Sequence, residues 1–395
     1  MIPGVRQAYN AQFSEGKYRA FLDDLNRRYD KEVTFRVAET PVFVPKDFER
    51  MLRAAADDII DFLARPDFKV LTEKAIPSGL RVPNETHRSL FLALDFGVVD
   101  VGGKAEPRLI EMQGFPSLFG WQDVLSGKYR EYFAVPSSMS SHFGLDSAGY
   151  RDLLRRVLLG DHDPRETILL EIDPLKQNTA VDFHATQEMT GIVPVHIGDI
   201  VRKGRKLYYP RAGQLTEVKR IYNRVIFDEL VKRTDLDLAF DLTQDVEVSW
   251  AGHPNWFFRI SKYTMPMIKS RFIPECRFLS DYDKYPDDLE NYVLKPLFSF
   301  SGSGVIFHVK PEDVKNIPDA ERPNFMLQRK VQYLPVLQAP DGMVKVEIRL
   351  LFLWEEDQPR PRLVTNLARL SRGEMIGVKY NKDKTWVGGS VCFFE

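Results

Sequence analysis

Two groups of residues in this chain have the types and spacing to do chemistry. Lys295 sits near the end of an apolar run (YVLKPLF), and small residues follow it: Ser299, Ser301, Gly302, Ser303 and Gly304. Small or absent side chains let consecutive backbone N–H groups turn toward one anion, and a lysine just before them adds a positive charge. Lys262, in WFFRISKYTMPMI, is a second lysine on an apolar stretch, where burial calls for an anionic partner. Together these residues read as a cradle for nucleotide phosphates. The plainer alternative is a flexible glycine–serine turn beside a surface lysine whose stem lies on aromatic residues. No Gly-Lys-Ser/Thr follows the glycines, so the segment is not a P-loop. Downstream, MLQRKV is apolar enough to line an adenine.

The second group is acidic. Asp95 and Glu111 lie in LFLALDFGVVDV and PRLIEMQGF, which read as strands joined at Gly102 and Gly103. In a hairpin symmetric about Gly103 the two acids stand opposite each other, a repulsive placement unless a cation or shared proton offsets it. Gln113 points to the same face and adds an amide oxygen. Such hard oxygen ligands suit Mg²⁺. A slip of one residue in register would instead turn one acid to water. The runs VKVEIRLLFLW and RLVTNLARL, paired about Asp357, bring Arg349, Asn366 and Arg369 near one another as cationic and polar groups for the same site. Glu347, two residues from Arg349, is the alternative partner for that arginine.

The elements that must position these groups belong to a mixed α/β (α+β) chain. Apolar spacings of three and four predict helices over residues 18–29 and 48–64. After residue 150, helix, strand, helix and strand patterns alternate, as in a small parallel domain. Lys176, Gln177, Asp182 and His184 follow the first of those strands, where such domains bind ligands, although a solvated helix start accounts for them better. Tyr222, Asn223 and Arg224 either line a substrate cleft or pair locally. Around Lys295, YVLKPLF and GVIFHV read as strands flanking the glycine loop. Composition places boundaries near 150 and 250: residues 1–150 carry the helices and acidic hairpin, 151–250 a small Rossmann-like substrate domain, and 251–395 the nucleotide-binding region.

Composition excludes several classes. The 395 residues carry 55 Lys+Arg against 56 Asp+Glu, a net charge of −1 that leaves no overall surplus for a nucleic-acid backbone. Two cysteines make no disulfide scaffold and fit a reducing cytoplasm. No apolar segment reaches the length of a membrane span, and no Gly-x-Ser-x-Gly or His-Glu-x-x-His motif supports a serine or zinc hydrolase.

In combination and order, these residues resemble the ATP-grasp superfamily, in its circularly permuted branch of glutathionylspermidine synthase-like proteins. The resemblance spans most of residues 90 to 375. It matches Asp95, Glu111 and Gln113 to the metal ligands, with Gln113 where asparagine is usual. Lys262 and Lys295 match the nucleotide lysines, Phe298 to Gly304 the phosphate loop, and Gln328, Arg329, Lys330 and Val331 the hinge. It departs at Ala93, where synthases of the branch carry an arginine; Arg88 and Arg349 are the available substitutes. The resemblance implies ATP and Mg²⁺ as cofactors and small-molecule carboxylate and amine substrates. The reaction it implies is ligation through an acyl phosphate, with Arg349 orienting the acyl carboxylate or γ-phosphate. A non-catalytic ATP-binding protein, a small-molecule kinase on the same scaffold and a plain metabolite binder are the competing expectations.

Overall fold

Three helices open the chain: α1 (Pro3–Gln12), α2 (Glu15–Arg28) and, after the short strand β1 (Val42–Val44), α3 (Lys46–Leu63). The computed structural model describes residues 1–395 except 30–31, 299–303, 374–375, 377–380 and 382. The Ser14 side chain accepts from the Lys17 N–H and so satisfies a donor that the first turn of α2 leaves open. Phe48, Leu52, Ala55, Ile59 and Leu63 form the buried stripe of α3, and a single turn, α4 (Phe68–Leu71), follows it.

Next comes the hairpin of β2 (Phe91–Val101) and β3 (Lys104–Gln113). Gly102 and Gly103 both have positive φ, the backbone that a two-residue hairpin turn needs. Near the turn Val101 pairs with Lys104; farther out the register shifts by one residue, and Asp95 faces Glu111. Ile110 is the extra residue of this β-bulge. Helix α5 (Phe119–Tyr132) leads away from the hairpin.

The following region is built on a parallel sheet. Helix α6 (Ser147–Leu159), capped by Asp146, precedes β4 (Thr167–Glu171), α7 (Ala180–Thr190) and β5 (Val193–His196). An antiparallel meander of β6 (Val201–Lys203), β7 (Lys206–Arg211) and β8 (Gln214–Val218) interrupts it. The chain then returns through β9 (Arg220–Asn223), the turn α8 (Phe227–Leu230) and β10 (Ser249–Ala251). The strand order is β10-β9-β4-β5, all parallel.

Helix α9 (Asn255–Arg259) and a 3₁₀ segment (Lys262–Met267) lead to a small antiparallel sheet of order β11-β13-β12, made from β11 (Cys276–Phe278), β12 (Tyr292–Pro296) and β13 (Phe325–Arg329). Of the expected strand GVIFHV, the described residues show only a bridge between Ile306 and Leu294. The last strands are β14 (Pro335–Ala339), β15 (Gly342–Leu353), β16 (Arg362–Ser371), β17 (Gly388–Ser390) and β18 (Cys392–Phe394). Strand β15 pairs with β2, so the large sheet runs β17-β16-β15-β2-β3 with β14 beside the start of β15; β18 pairs with β1.

Alternation along these strands gives the large sheet two different faces. Leu92, Leu94, Phe96, Ile348 and Leu350 pack with Phe21, Phe48, Trp121 and Tyr129 of the helical layer. On the other face Phe91, Ala93, Leu351 and Leu353 pack with Tyr150, Leu154, Phe183 and Tyr222 of the parallel-sheet region. Asp95, Glu347, Arg349 and Arg369 share this second face. The whole is a mixed α/β fold, and among the described residues no helix is long and apolar enough to cross a membrane.

Candidate functional site

Asp95 is 1% exposed at the middle of the large sheet. Its cross-strand neighbour on β15 is Arg349, which donates to both carboxylate oxygens, Nε to Oδ1 at 2.6 Å and Nη2 to Oδ2 at 2.7 Å. Arg369 bonds Asp95 as well and reaches Glu347 at 2.5 Å. The Tyr333 hydroxyl donates to Glu347 at 2.5 Å. Burial alone raises the Asp95 carboxyl, but Arg349 and Arg369 outweigh it and hold the group below the usual range. Glu347, equally buried, is pushed up despite Arg369.

Tyr333 reaches Glu347 because Gly97 stands beneath its ring. A Cβ on Gly97 would lie 2.8 Å from Tyr333 Cε1 and 3.2 Å from Ile110 Cδ1, inside van der Waals contact. Gly97 is the β2 residue paired with Glu347, so the missing side chain is the space that the tyrosine fills.

The bulge in β3 links this cluster to the small sheet. Lys295 Nζ donates to the Ile110 carbonyl at 3.2 Å, the residue that the bulge leaves outside the ladder. Burial lowers the pKa of Lys295, with Glu111 opposing the shift. Lys262 is 6% exposed; burial brings it down to about 8, Glu111 raises it and Lys295 lowers it further. Both lysines thus act on Glu111 near the end of β3, Lys295 through its bond to the neighbouring Ile110 carbonyl. On the small sheet Lys295, Val293, Met326, Gln328 and Cys276 share a face by register. Gln328 is 2% exposed, and among the described residues its Oε1 has no hydrogen-bond partner. Just beyond β12 lies a cavity of about 460 Å³ lined by Pro296, Phe298, Ser78 and Asn324.

Other expectations meet a different arrangement. Asn366 pairs with Leu350 and is turned to the opposite face from Arg349. Its amide donates to the Ser141 and Cys392 carbonyls at 3.0 Å each and accepts from the Cys392 N–H at 2.6 Å, so it fastens backbone. The proposed role of Arg349 toward a substrate is displaced by its two-point bond to Asp95, and Glu347 pairs with Arg369 instead of Arg349. Arg329 is exposed, on the face away from Lys295, and meets Tyr292 and Asp288. Lys330 lies over the Phe307 ring at 4.4 Å, and Val331 is half-buried. Arg88 bonds the Gln358 carbonyl and lies over Trp354, so it does not stand in for an arginine at Ala93. Ser301, Gly302 and Ser303 lie outside the described residues; Gly304 has φ +71°, a backbone that favours glycine.

The proposed metal ligands do not fit a Mg²⁺ ion as assembled. Glu111 and Gln113 are neighbours, with Gln113 Nε2 donating to Glu111 Oε2 at 3.3 Å. Asp95, the third ligand, has both oxygens engaged by guanidinium groups. Among the described residues no cluster of three His, Cys, Asp or Glu side chains has a spacing that holds a metal. Neither Tyr333 nor the Ile110 carbonyl carries a local sequence signal, since one depends on a glycine contact and the other on a bulge.

No protein-family model matches the chain, and no curated protein does. Among solved structures it is similar to a glutathione synthetase-like effector from Globodera pallida in its apo form. That likeness has a TM-score of 0.56 at 10% identity and covers 89% of this chain and 93% of the other. At such identity it carries the fold alone, and the fold is glutathione synthetase-like.

Proposed function

We propose that ATP binds between the edge of the acidic hairpin and the small sheet, and that the protein is an ATP-grasp-like carboxylate–amine ligase. The observation that carries this reading is the convergence of Lys262 and Lys295 on the Glu111 edge of β3, although they stand more than 150 residues later in the chain. Two buried ammonium groups beside one carboxylate leave positive charge for phosphates. Gln328 Oε1 supplies a buried acceptor for the exocyclic amine of an adenine. In the reaction the substrate carboxylate attacks the terminal phosphorus and ADP leaves. An amine then attacks the acyl phosphate, releasing inorganic phosphate and forming the amide. The lysines would hold the phosphate oxygens as charge shifts onto the leaving group, which is where most catalysis of phosphoryl transfer arises.

A second reading is favoured by one specific arrangement. Arg349 and Arg369 occupy Asp95, and Ala93 stands where synthases of the resembled branch carry an arginine; both suit a protein that binds nucleotide without turning it over. The deciding experiment is nucleotide titration followed by ADP release in the presence of Mg²⁺, mixed carboxylates and amines, and hydroxylamine as an acyl trap. Hydroxamate formation supports the ligase. Binding without ADP release supports the second reading, and the absence of ATP binding with or without Mg²⁺ eliminates both.

A further inference from the structure

Two buried carboxylates on the large sheet share one cation. Asp95 on β2 and Glu347 on β15 are diagonal neighbours on the same face, since Asp95 pairs with Arg349 and Glu347 with Gly97. Both are buried, Asp95 at 1% and Glu347 at 3% exposure. Acids placed so in an interior repel each other unless a cation stands between them. Arg369, one strand farther out on β16 and paired with Glu347, reaches past Glu347 to supply it. A single nitrogen, Nη2, contacts both groups: it bonds Asp95 Oδ2 and lies 2.5 Å from Glu347 Oε1.

The rest of each carboxylate is already committed. Arg349 holds both Asp95 oxygens, and the Tyr333 hydroxyl donates to Glu347 Oε2 at 2.5 Å. Glu347 Oε1, by contrast, accepts no hydrogen bond among the described residues. Its contact with Arg369 is therefore one of charge at close range and not of directed donation, which is how an oxygen holds an ion. Glu111 acts on Arg369 as well, so three acids converge on this guanidinium. The two arginines differ in access: the Arg349 side chain is 10% exposed and that of Arg369 37%, so Arg369 is the one that solvent reaches. Two carboxylates with water completing the shell are the kind of set that holds Mg²⁺.

We propose that Arg369 takes the place of a divalent cation: its Nη2 fills the position between Asp95 and Glu347 that an ion would need, and this acidic face is closed to Mg²⁺ until that side chain is removed. The misfit of the metal ligands read from the sequence then has a cause. Asp95 stands opposite Glu111 on the hairpin, but its carboxylate is engaged from the other side of β2, by the arginines of β15 and β16. Glu347, which is outside the set of Asp95, Glu111 and Gln113, is the acid that shares its cation. The proposal goes beyond the ATP reading and does not depend on it.

The test is titration of the full chain, without nucleotide, with Mn²⁺, an ion of similar oxygen preference whose free form is read by electron paramagnetic resonance. Glu347→Gln alone should leave Mn²⁺ uptake as it is in the wild type. Arg369→Ala should gain a site that binds Mn²⁺ about tenfold tighter or more than any in the wild type, because a fixed positive charge no longer repels the ion. Adding Glu347→Gln to Arg369→Ala should abolish the gain. Thermal unfolding is the second readout: millimolar Mg²⁺ should raise the midpoint of Arg369→Ala and leave that of the wild type unchanged. Should Arg369→Ala fail to fold without metal, Arg369→Gln, neutral but still a donor to one carboxylate, replaces it, and either variant should regain its fold as Mn²⁺ is added. Mn²⁺ uptake by the wild type that Glu347→Gln weakens overturns the proposal. So do neutral variants that gain no Mn²⁺ affinity, or that stay unfolded with the ion present. Nucleotide is absent throughout, so the result for ATP binding bears on the ligase reading alone.

Discussion

Arg349 meets Asp95 across two neighbouring strands with both planar groups aligned, a paired contact at 2.6 and 2.7 Å between residues 254 positions apart. The pair is buried, so its two halves are unequal to lose. Asp95→Ala leaves two guanidinium groups without their shared anion and should cost about 3 to 5 kcal/mol, as for other broken buried pairs. The double variant Asp95→Asn, Arg349→Met should cost less than the two single changes added together. Denaturant unfolding of the four proteins checks this, and simple additivity would mean that the contact contributes nothing specific.

Lys295→Met and Lys262→Met remove the two ammonium groups that flank Glu111. Each should weaken ATP binding by about tenfold or more while leaving the fold intact, since removing a buried cation also removes its desolvation cost. Titration with ATP and with adenosine is the measurement. The loss should fall on ATP, and an equal loss for adenosine would place the lysines away from the phosphates.

Gly97→Ala forces a methyl group against the Tyr333 ring. The expected cost is about 1 to 3 kcal/mol, the range for overfilled interiors. In a Tyr333→Ala background the same substitution should be nearly neutral, because the atom 2.8 Å from the added Cβ is then gone. Thermal unfolding of the pair of variants decides it; an undiminished effect without the tyrosine ring would point to the strand backbone instead.

His253 is 1% exposed and its Nε2 donates to the Pro83 carbonyl at 2.9 Å, while its Nδ1 accepts from the Asn255 N–H at 3.2 Å. Burial brings its pKa down from 6.5 to about 4. The unfolded chain takes up this proton near pH 6.5 and the folded chain only near 4, so the group's contribution is intact above 6.5 and is lost as pH falls toward 4. The loss amounts to roughly 3 kcal/mol. Glu171 acts in the opposite direction, losing stability as pH rises from 4.5 to about 8. Comparing wild type with His253→Gln isolates the histidine: the stability difference should change between pH 7 and pH 4.5, and a constant difference would refute it.

Much of the candidate site is legible in the sequence because local rules fix it. The glycine pair determines a hairpin, and Asp95 and Glu111 do stand opposite each other. The reason differs in part from simple symmetry about Gly103: the turn centres between the two glycines, and the bulge at Ile110 supplies the residue that brings the acids into line. Lys262 is legible as a buried lysine needing an anion, and Lys295 as a half-buried one at a strand end. Arg349 and Arg369 are legible as cations for the same site, but their direct bonds to Asp95 are not, since β15 joins β2 by a pairing that no local pattern encodes. Asn366 misleads for a related reason: nearness in sequence to Arg369 does not reveal which face a side chain takes when the register is unknown.

The pairing of β2 with β15 also governs the order in which the protein can be made. On the ribosome, the apolar strand β2 emerges long before the segment that covers its open side, and β1 waits even longer for β18. An uncovered, non-polar strand edge is a template for aggregation, and contacts so distant in sequence form slowly. Newly made molecules therefore pass through a prolonged vulnerable interval, and soluble yield should respond to cooler, slower expression or to chaperone supply more than to substitutions that stabilise the finished protein.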